Sequence, residues 1–236
     1  MPVTPDAAVP PLIAALMQPR RYAHAVDAVE LIETHISWVL LAGEYAYKIK
    51  KPVALGFLDF STLEARRHFC EEELRLNRRT AAQIYLEVVP IGGSADEPVL
   101  GGAGAPIEYA LKMRRFEQHA LFDAMARRGE LDAALIEGLA TMVADFHAQL
   151  PAATAGEHGT PANIRAPALQ NFAQLAQIQQ PAEMTARLAA LRAWTIDEAD
   201  RLDAVFMRRK AAGCIRECHG DLHLGNLALI DGAPVA

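Results

Sequence analysis

The spacing of apolar residues changes character once along this chain, and that change fixes the class of fold open to it. Up to about Arg115 the apolar residues come in short β-branched and aromatic runs. Two runs within 29–52, punctuated by Gly43-Glu44, signal a hairpin, and further strands are predicted over 85–91 and 107–113 with a Gly-rich turn over 92–104 between them. Ser61-Thr62-Leu63-Glu64 reads as a capping box, the Ser oxygen and the Glu carboxylate each answering an orphan backbone N–H. It opens a helix reaching about Thr80. Past Phe116 the period becomes 3.6: Leu135, Leu139, Met142, Val143, Phe146 and Leu150 recur after an Asp132 cap. A Pro- and Gly-bearing loop is expected over 151–167. A second long helix follows over 182–212, with Leu188, Leu191, Trp194, Leu202, Val205 and Phe206 inward and Gly213 as its stop. The residues before Pro19 are Pro- and Ala-rich and suggest a loosely held helix. Strands with one helix, then helices alone, make an α+β chain with a small β-rich lobe over 1–115 and a helical lobe over 116–236.

Composition narrows the function classes. A chain of 236 residues that is 52% hydrophobic can bury a real core. Its formal charge of −6 argues against nucleic acid or an anionic membrane as partner, since either calls for a basic face. Cys70, Cys214 and Cys218 are sparse and odd in number, which disfavours a secreted disulfide framework. The first six residues carry neither a basic start nor an apolar core, and no run approaches the 18 or so apolar residues of a membrane span. A soluble cytoplasmic protein is expected. There is no G-x-x-x-x-G-K-[ST] or G-x-G-x-x-G string, so any nucleotide site is of another kind.

The most chemically specific stretch is His219-Gly220-Asp221-Leu222-His223-Leu224-Gly225-Asn226. Its H-x-D-L-x-x-x-N spacing is that of a phosphotransferase loop, with an Asp to take a hydroxyl proton and an Asn to hold Mg²⁺. Gly220 stands where protein kinases carry Arg, which points toward small-molecule kinases. The plain structural alternative is a strand–turn–strand in which Asp221 caps the turn and Asn226 satisfies backbone. Upstream, Ala46-Tyr47-Lys48 has the alternation of the kinase strand V-A-I-K, and Lys50 shares a face with Lys48. Solvated charges on an edge strand would give the same pattern.

Together with Glu33-Thr34-His35-Ile36-Ser37-Trp38-Val39-Leu40-Leu41-Ala42-Gly43 and Tyr47-Lys48-Ile49-Lys50-Lys51-Pro52-Val53, the loop resembles the aminoglycoside phosphotransferase-like family, from about Val29 to the last residue. The resemblance implies a bilobal protein-kinase-like fold that moves the γ-phosphoryl of ATP onto a hydroxyl of a small molecule. It assigns Asp221 to the acceptor hydroxyl, His219 to bracing the loop, Asn226 to Mg²⁺ and Lys48 to the α and β phosphates. A carboxylate among Glu71, Glu72 and Glu73 would hold the lysine, with Glu72 favoured, and backbone near Met113 would meet the adenine edge. No Gly-rich phosphate loop precedes Lys48, so Thr34, His35 and Ser37 would have to serve.

The resemblance further implies an Asp ligand for Mg²⁺ just after residues 227–230, then helices that build the acceptor pocket. The sequence instead gives Asp231-Gly232, a strong two-residue hairpin turn, and four more residues, as a C-terminally truncated member would. Without that Asp, at least about two to four decades of rate would be lost, each ~1.4 kcal/mol being tenfold. Two rival readings follow. One is a non-catalytic nucleotide-binding or interaction module, whose bare helix faces a second copy or another partner would cover. The other is a zinc site from Cys214, Cys218, His219 and His223, which is hard to close if 214–218 is a strand.

Overall fold

The computed structural model describes residues 9–55, 58–179 and 181–236. They fall into two compact units, Met1–Met142 with Asp221–Ala236, and Val143–Gly220. The first unit reaches past Arg115 and takes in the end of the chain.

Its centre is a six-stranded antiparallel sheet in the order β1-β2-β3-β6-β4-β5. The strands are β1 (Val29–Glu33), β2 (Ser37–Ala42), β3 (Tyr45–Lys50), β4 (Tyr85–Gly93), β5 (Pro98–Leu100) and β6 (Glu108–Arg114). The β2–β3 hairpin turns at Gly43, whose φ of 58° suits glycine, and a Cβ there would lie 2.5 Å from Ala25 O. The expected Gly-rich turn contains β5, because Pro98–Leu100 pairs with Ile91–Gly93.

Each face of the sheet is covered differently. On one, Ile13 and Leu16 of α1 (Pro11–Leu16) are buried with Tyr22, Leu40, Tyr47, Ile49 and Ile91. The Tyr22 hydroxyl donates to Leu16 O at 2.8 Å. α1 is therefore firmly packed rather than loosely held, since each fully buried Leu or Ile contributes about 1.5–3 kcal/mol. The other face carries α2 (Leu63–Ala81). Thr62, not Ser61, is its N-cap and accepts from Ala65 N; Ser61 N instead donates to Asp59. Arg66 Nε donates to Glu108 Oε2 at 2.7 Å, with both side chains about nine-tenths buried, and Arg66 also donates to the carbonyls of Phe60 and Ser61. Burial raises the Glu108 carboxyl above its ordinary range, outweighing the Tyr109 N–H and the guanidinium.

After α3 (Phe122–Arg127) and the first part of α4 (Ala133–Gln149), the first unit closes with the hairpin of β7 (Ala228–Ile230) and β8 (Ala233–Val235). Asp231 and Gly232 take φ of 52° and 79°, the pair of positive angles that a type I′ turn demands. Three residue pairs form, and Phe122 N donates to Leu227 O. Ala228 and Val235 then pack with Ala81 and Ile84, against Met113 and Phe116.

In the second unit α5 (Pro161–Leu175) packs with α6 (Ala182–Ala211). Residues 161–167 are helical where a loop was expected, because Thr160 caps Asn163 N and Pro161 takes the first turn, where a missing N–H costs nothing. Arg165 pairs with Asp200 and Asp203 of α6, and Lys210 donates to the carbonyls of Gly156 and His158. Gly213, at φ 70°, ends α6 as expected. Leu191 and Trp194, expected inward, are exposed, Trp194 at 62%. Residues 214–218 are not a strand. Among the described residues no helix is long and apolar enough to cross a membrane.

Candidate functional site

Two constellations in the first unit hold the side chains singled out in the sequence. The first joins β3 to α2. Alternation puts Lys48 and Lys50 on the α2 face, and both reach one carboxylate: Lys48 Nζ lies 2.7 Å from Glu73 Oε1 and Lys50 Nζ 2.6 Å from Glu73 Oε2. The partner is thus Glu73, not Glu72. Glu72 points away along the helix and pairs with Arg75 at 2.9 Å, where both are well exposed. Helical geometry explains the choice, because Arg66, Cys70, Glu73, Asn77 and Ala81 recur every three or four residues along the covered stripe.

The two lysines are not equivalent. Lys50 is 6% exposed, with its ammonium 4.8 Å above the Phe60 ring, whereas Lys48 keeps 28% of its side chain open. Lys50 therefore anchors Glu73, and Lys48 is the arm that can meet a ligand. Burial pushes the Glu73 carboxyl up, but the two ammonium groups and their hydrogen bonds together outweigh it and hold it below its ordinary value. Two cations on one carboxylate leave a net positive charge, which is what a phosphate requires.

The second constellation is the loop before β7. Gly220 enters it at φ 83°. Asn226 Nδ2 donates to Asp221 O at 2.9 Å and to Asp221 Oδ2 at 3.0 Å, so the loop closes on itself and brings the predicted Asp and Asn together. With the amide nitrogen engaged, the Asn226 oxygen is the atom left to meet a cation. His223 Nε2 lies 3.7 Å from Asp221 Oδ2, and its Nδ1 accepts from Gly225 N, which fixes the ring. The Asp221 side chain is 78% exposed. His219 belongs to the second unit, where it is half-buried.

Met113 lies within β6, opposite Ala46 on one side and Tyr85 on the other. It packs against the cluster formed by the β7–β8 hairpin and the end of α2. Just beyond it, Arg114 N donates to Ile84 O and Arg115 N to Glu44 O. The Arg114 and Arg115 N–H groups are thus engaged within the fold and are not open to a base edge.

The β1–β2 turn offers less than its sequence suggested. Thr34 Oγ1 and the Ser37 backbone bond each other and Ser37 is fully buried, so of the three expected phosphate contacts Thr34 and His35 are exposed, with the Thr34 hydroxyl already engaged. Lys51 is engaged by Glu33 and lies over Trp38. The proposed zinc set does not assemble: among the described residues no three His, Cys, Asp or Glu side chains gather as a metal site would need.

Uncharacterised proteins of Mycobacterium bovis and of two strains of Mycobacterium tuberculosis are each 30% identical to this chain over 209 residues, 87% of its length. The chain spans 40% of the length of these relatives. No family model matches the sequence, and no solved structure matches it.

Proposed function

We propose that the chain is a small-molecule kinase of the aminoglycoside phosphotransferase type, with a bilobal protein-kinase-like fold, that moves the γ-phosphoryl of ATP onto a hydroxyl. The observation that carries the reading is the Lys48–Glu73 ion pair between the third strand of an antiparallel sheet and the helix laid across it. A lysine aligned this way by a buried carboxylate is the phosphate-orienting device of such enzymes. The Asp221–Asn226 loop supports the same reading, because it pairs a proton acceptor with a hard oxygen donor in one tight turn.

The residue roles follow from these atoms. Lys48 would hold the nonbridging phosphate oxygens and Asp221 would orient the acceptor hydroxyl and take its proton. The Asn226 oxygen would hold Mg²⁺, which keeps water and phosphate oxygens as its other ligands and would supply charge neutralisation. This donor set fits an ion that arrives with the nucleotide.

The test is thermal stability with and without ATP and Mg²⁺, followed by phosphoryl transfer. Saturation at ~100 times Kd stabilises by about 2.7 kcal/mol, which moves the melting temperature by several degrees. Lys48→Met should abolish the shift. Asp221→Asn should keep the shift and remove any transfer to an acceptor. A shift without transfer under any acceptor would favour the non-catalytic module, and no shift at all would reject the nucleotide.

A further inference from the structure

The face of the sheet turned away from Lys48 and Glu73 carries a cleft of about 660 Å³, within the usual range of ~300–1,000 Å³ for small-molecule sites. Period-two alternation sets Tyr45 and Tyr47 of β3 on this face, opposite the two lysines. Its rims are the segment Arg20 to His24 and the β5 strand with Gly101.

The lining is built rather than incidental. The His24 ring meets Tyr45 edge-on at 4.8 Å and stacks over Tyr47 at 6.2 Å, 19° from parallel. His24 Nε2 lies 3.0 Å from Ala42 O, and since a carbonyl only accepts, that nitrogen bears the proton and the ring is fixed. Lys112 Nζ sits 4.5 Å above the Tyr45 ring and 3.0 Å from Glu87. The aromatic wall is thereby locked before any ligand arrives.

Charge and unmet bonding then select the ligand. Arg20, Arg21 and Lys112 line the cleft together with one carboxylate, Glu87, so three cations and one anion leave +2 in a chain whose net charge is −6. Arg21 Nη2 donates to Asp96 O at 3.0 Å, but its Nε is buried with no hydrogen-bond partner among the described residues. A buried guanidinium N–H without an acceptor is an unmet bond, which an anion would satisfy after a small reorientation of the Arg21 side chain. Val99 and Leu100 supply an apolar wall, with Val99 half exposed.

We propose that this cleft is a second binding site, separate from the Lys48 site, for a small organic anion that carries a phosphate or carboxylate on a flat ring. The anionic group meets Arg20 and Arg21, and the ring lies between Tyr45 and Val99.

Phenyl phosphate is the probe, titrated into the ¹⁵N-labelled chain and followed by amide shifts. Saturable shifts should cluster at residues 20–24 and 99–101, and inorganic phosphate, lacking the ring, should bind more weakly. Arg20→Gln with Arg21→Gln should weaken phenyl phosphate about tenfold or more, because charge-assisted bonds are lost. Val99→Glu, at an exposed position, should do the same by repulsion without touching the arginines. Lys48→Met should leave the affinity unchanged, which separates this site from the proposed nucleotide site. The inference is overturned if shifts map to the Lys48 face, or if both variants bind as tightly as the parent while folded.

Discussion

Glu73→Gln is the sharpest test of how the lysine pair is held. The substitution keeps the shape of the side chain and removes the charge that two ammonium groups share at 2.7 and 2.6 Å. At an effective dielectric of ~20, each contact is worth about 6 kcal/mol of gross attraction, offset by desolvation and by repulsion between the lysines. Removing one partner of a buried pair costs about 3–5 kcal/mol net, and Lys50, at 6% exposure, has little recourse to water. For a chain of this size that is roughly 6–20 °C in melting temperature. Glu72→Gln serves as control, since its partner Arg75 is well exposed and the pair contributes about 0–1 kcal/mol. Urea melts followed by tryptophan fluorescence would read both.

The pH dependence adds an independent check. Glu73 has a folded pKa below its ordinary value near 4.5, so its stabilisation is fully present above that value and is lost as pH falls through the folded pKa. The parent should therefore show a steeper acid limb than Glu73→Gln, while Glu72→Gln keeps the parent's slope. If Glu73→Gln melts within about 0.5 kcal/mol of the parent, or if both lose stability equally in acid, the shared-carboxylate account is wrong.

Two further outcomes follow from the fold. Burial pushes the Cys70 thiol up to about 11, and the side chain is fully covered, whereas Cys214 and Cys218 are exposed. A thiol reagent near neutral pH should label Cys214 and Cys218 quickly and Cys70 only on unfolding; three fast thiols in the folded chain would contradict the packing of α2. Gly232→Ala should cost about 1 kcal/mol in denaturant melts, because φ is 79° and nothing lies within 4 Å of the new methyl group, so backbone strain is the whole effect. An unchanged midpoint would refute the type I′ turn.

Features that depend on near neighbours are legible in the residue order alone. The period change near Phe116, the Gly43 turn, the Asp132 cap, the Asp231-Gly232 hairpin and the stop at Gly213 are set within a few residues, so local pattern sufficed. Asn226 and Asp221 met for the same reason, five residues apart in one tight loop. The helical stripe also holds the clue to Glu73, three residues after Cys70 and four before Asn77, whereas the family resemblance points to Glu72.

Tertiary structure decided the rest. Which lysine is anchored and which is open depends on Phe60 and the position of α2, and the chain writes neither beside β3. Leu191 and Trp194 have the right period to be inward, yet periodicity says only that a face is apolar, not that another element covers it. The cleft over Tyr45 draws on Arg20, Glu87, Val99 and Lys112, separated by up to 92 positions, and becomes visible only when β3, β4, β5 and β6 lie side by side. Strand pairing joins residues that no local rule relates, and that is where the chemistry of this face was fixed.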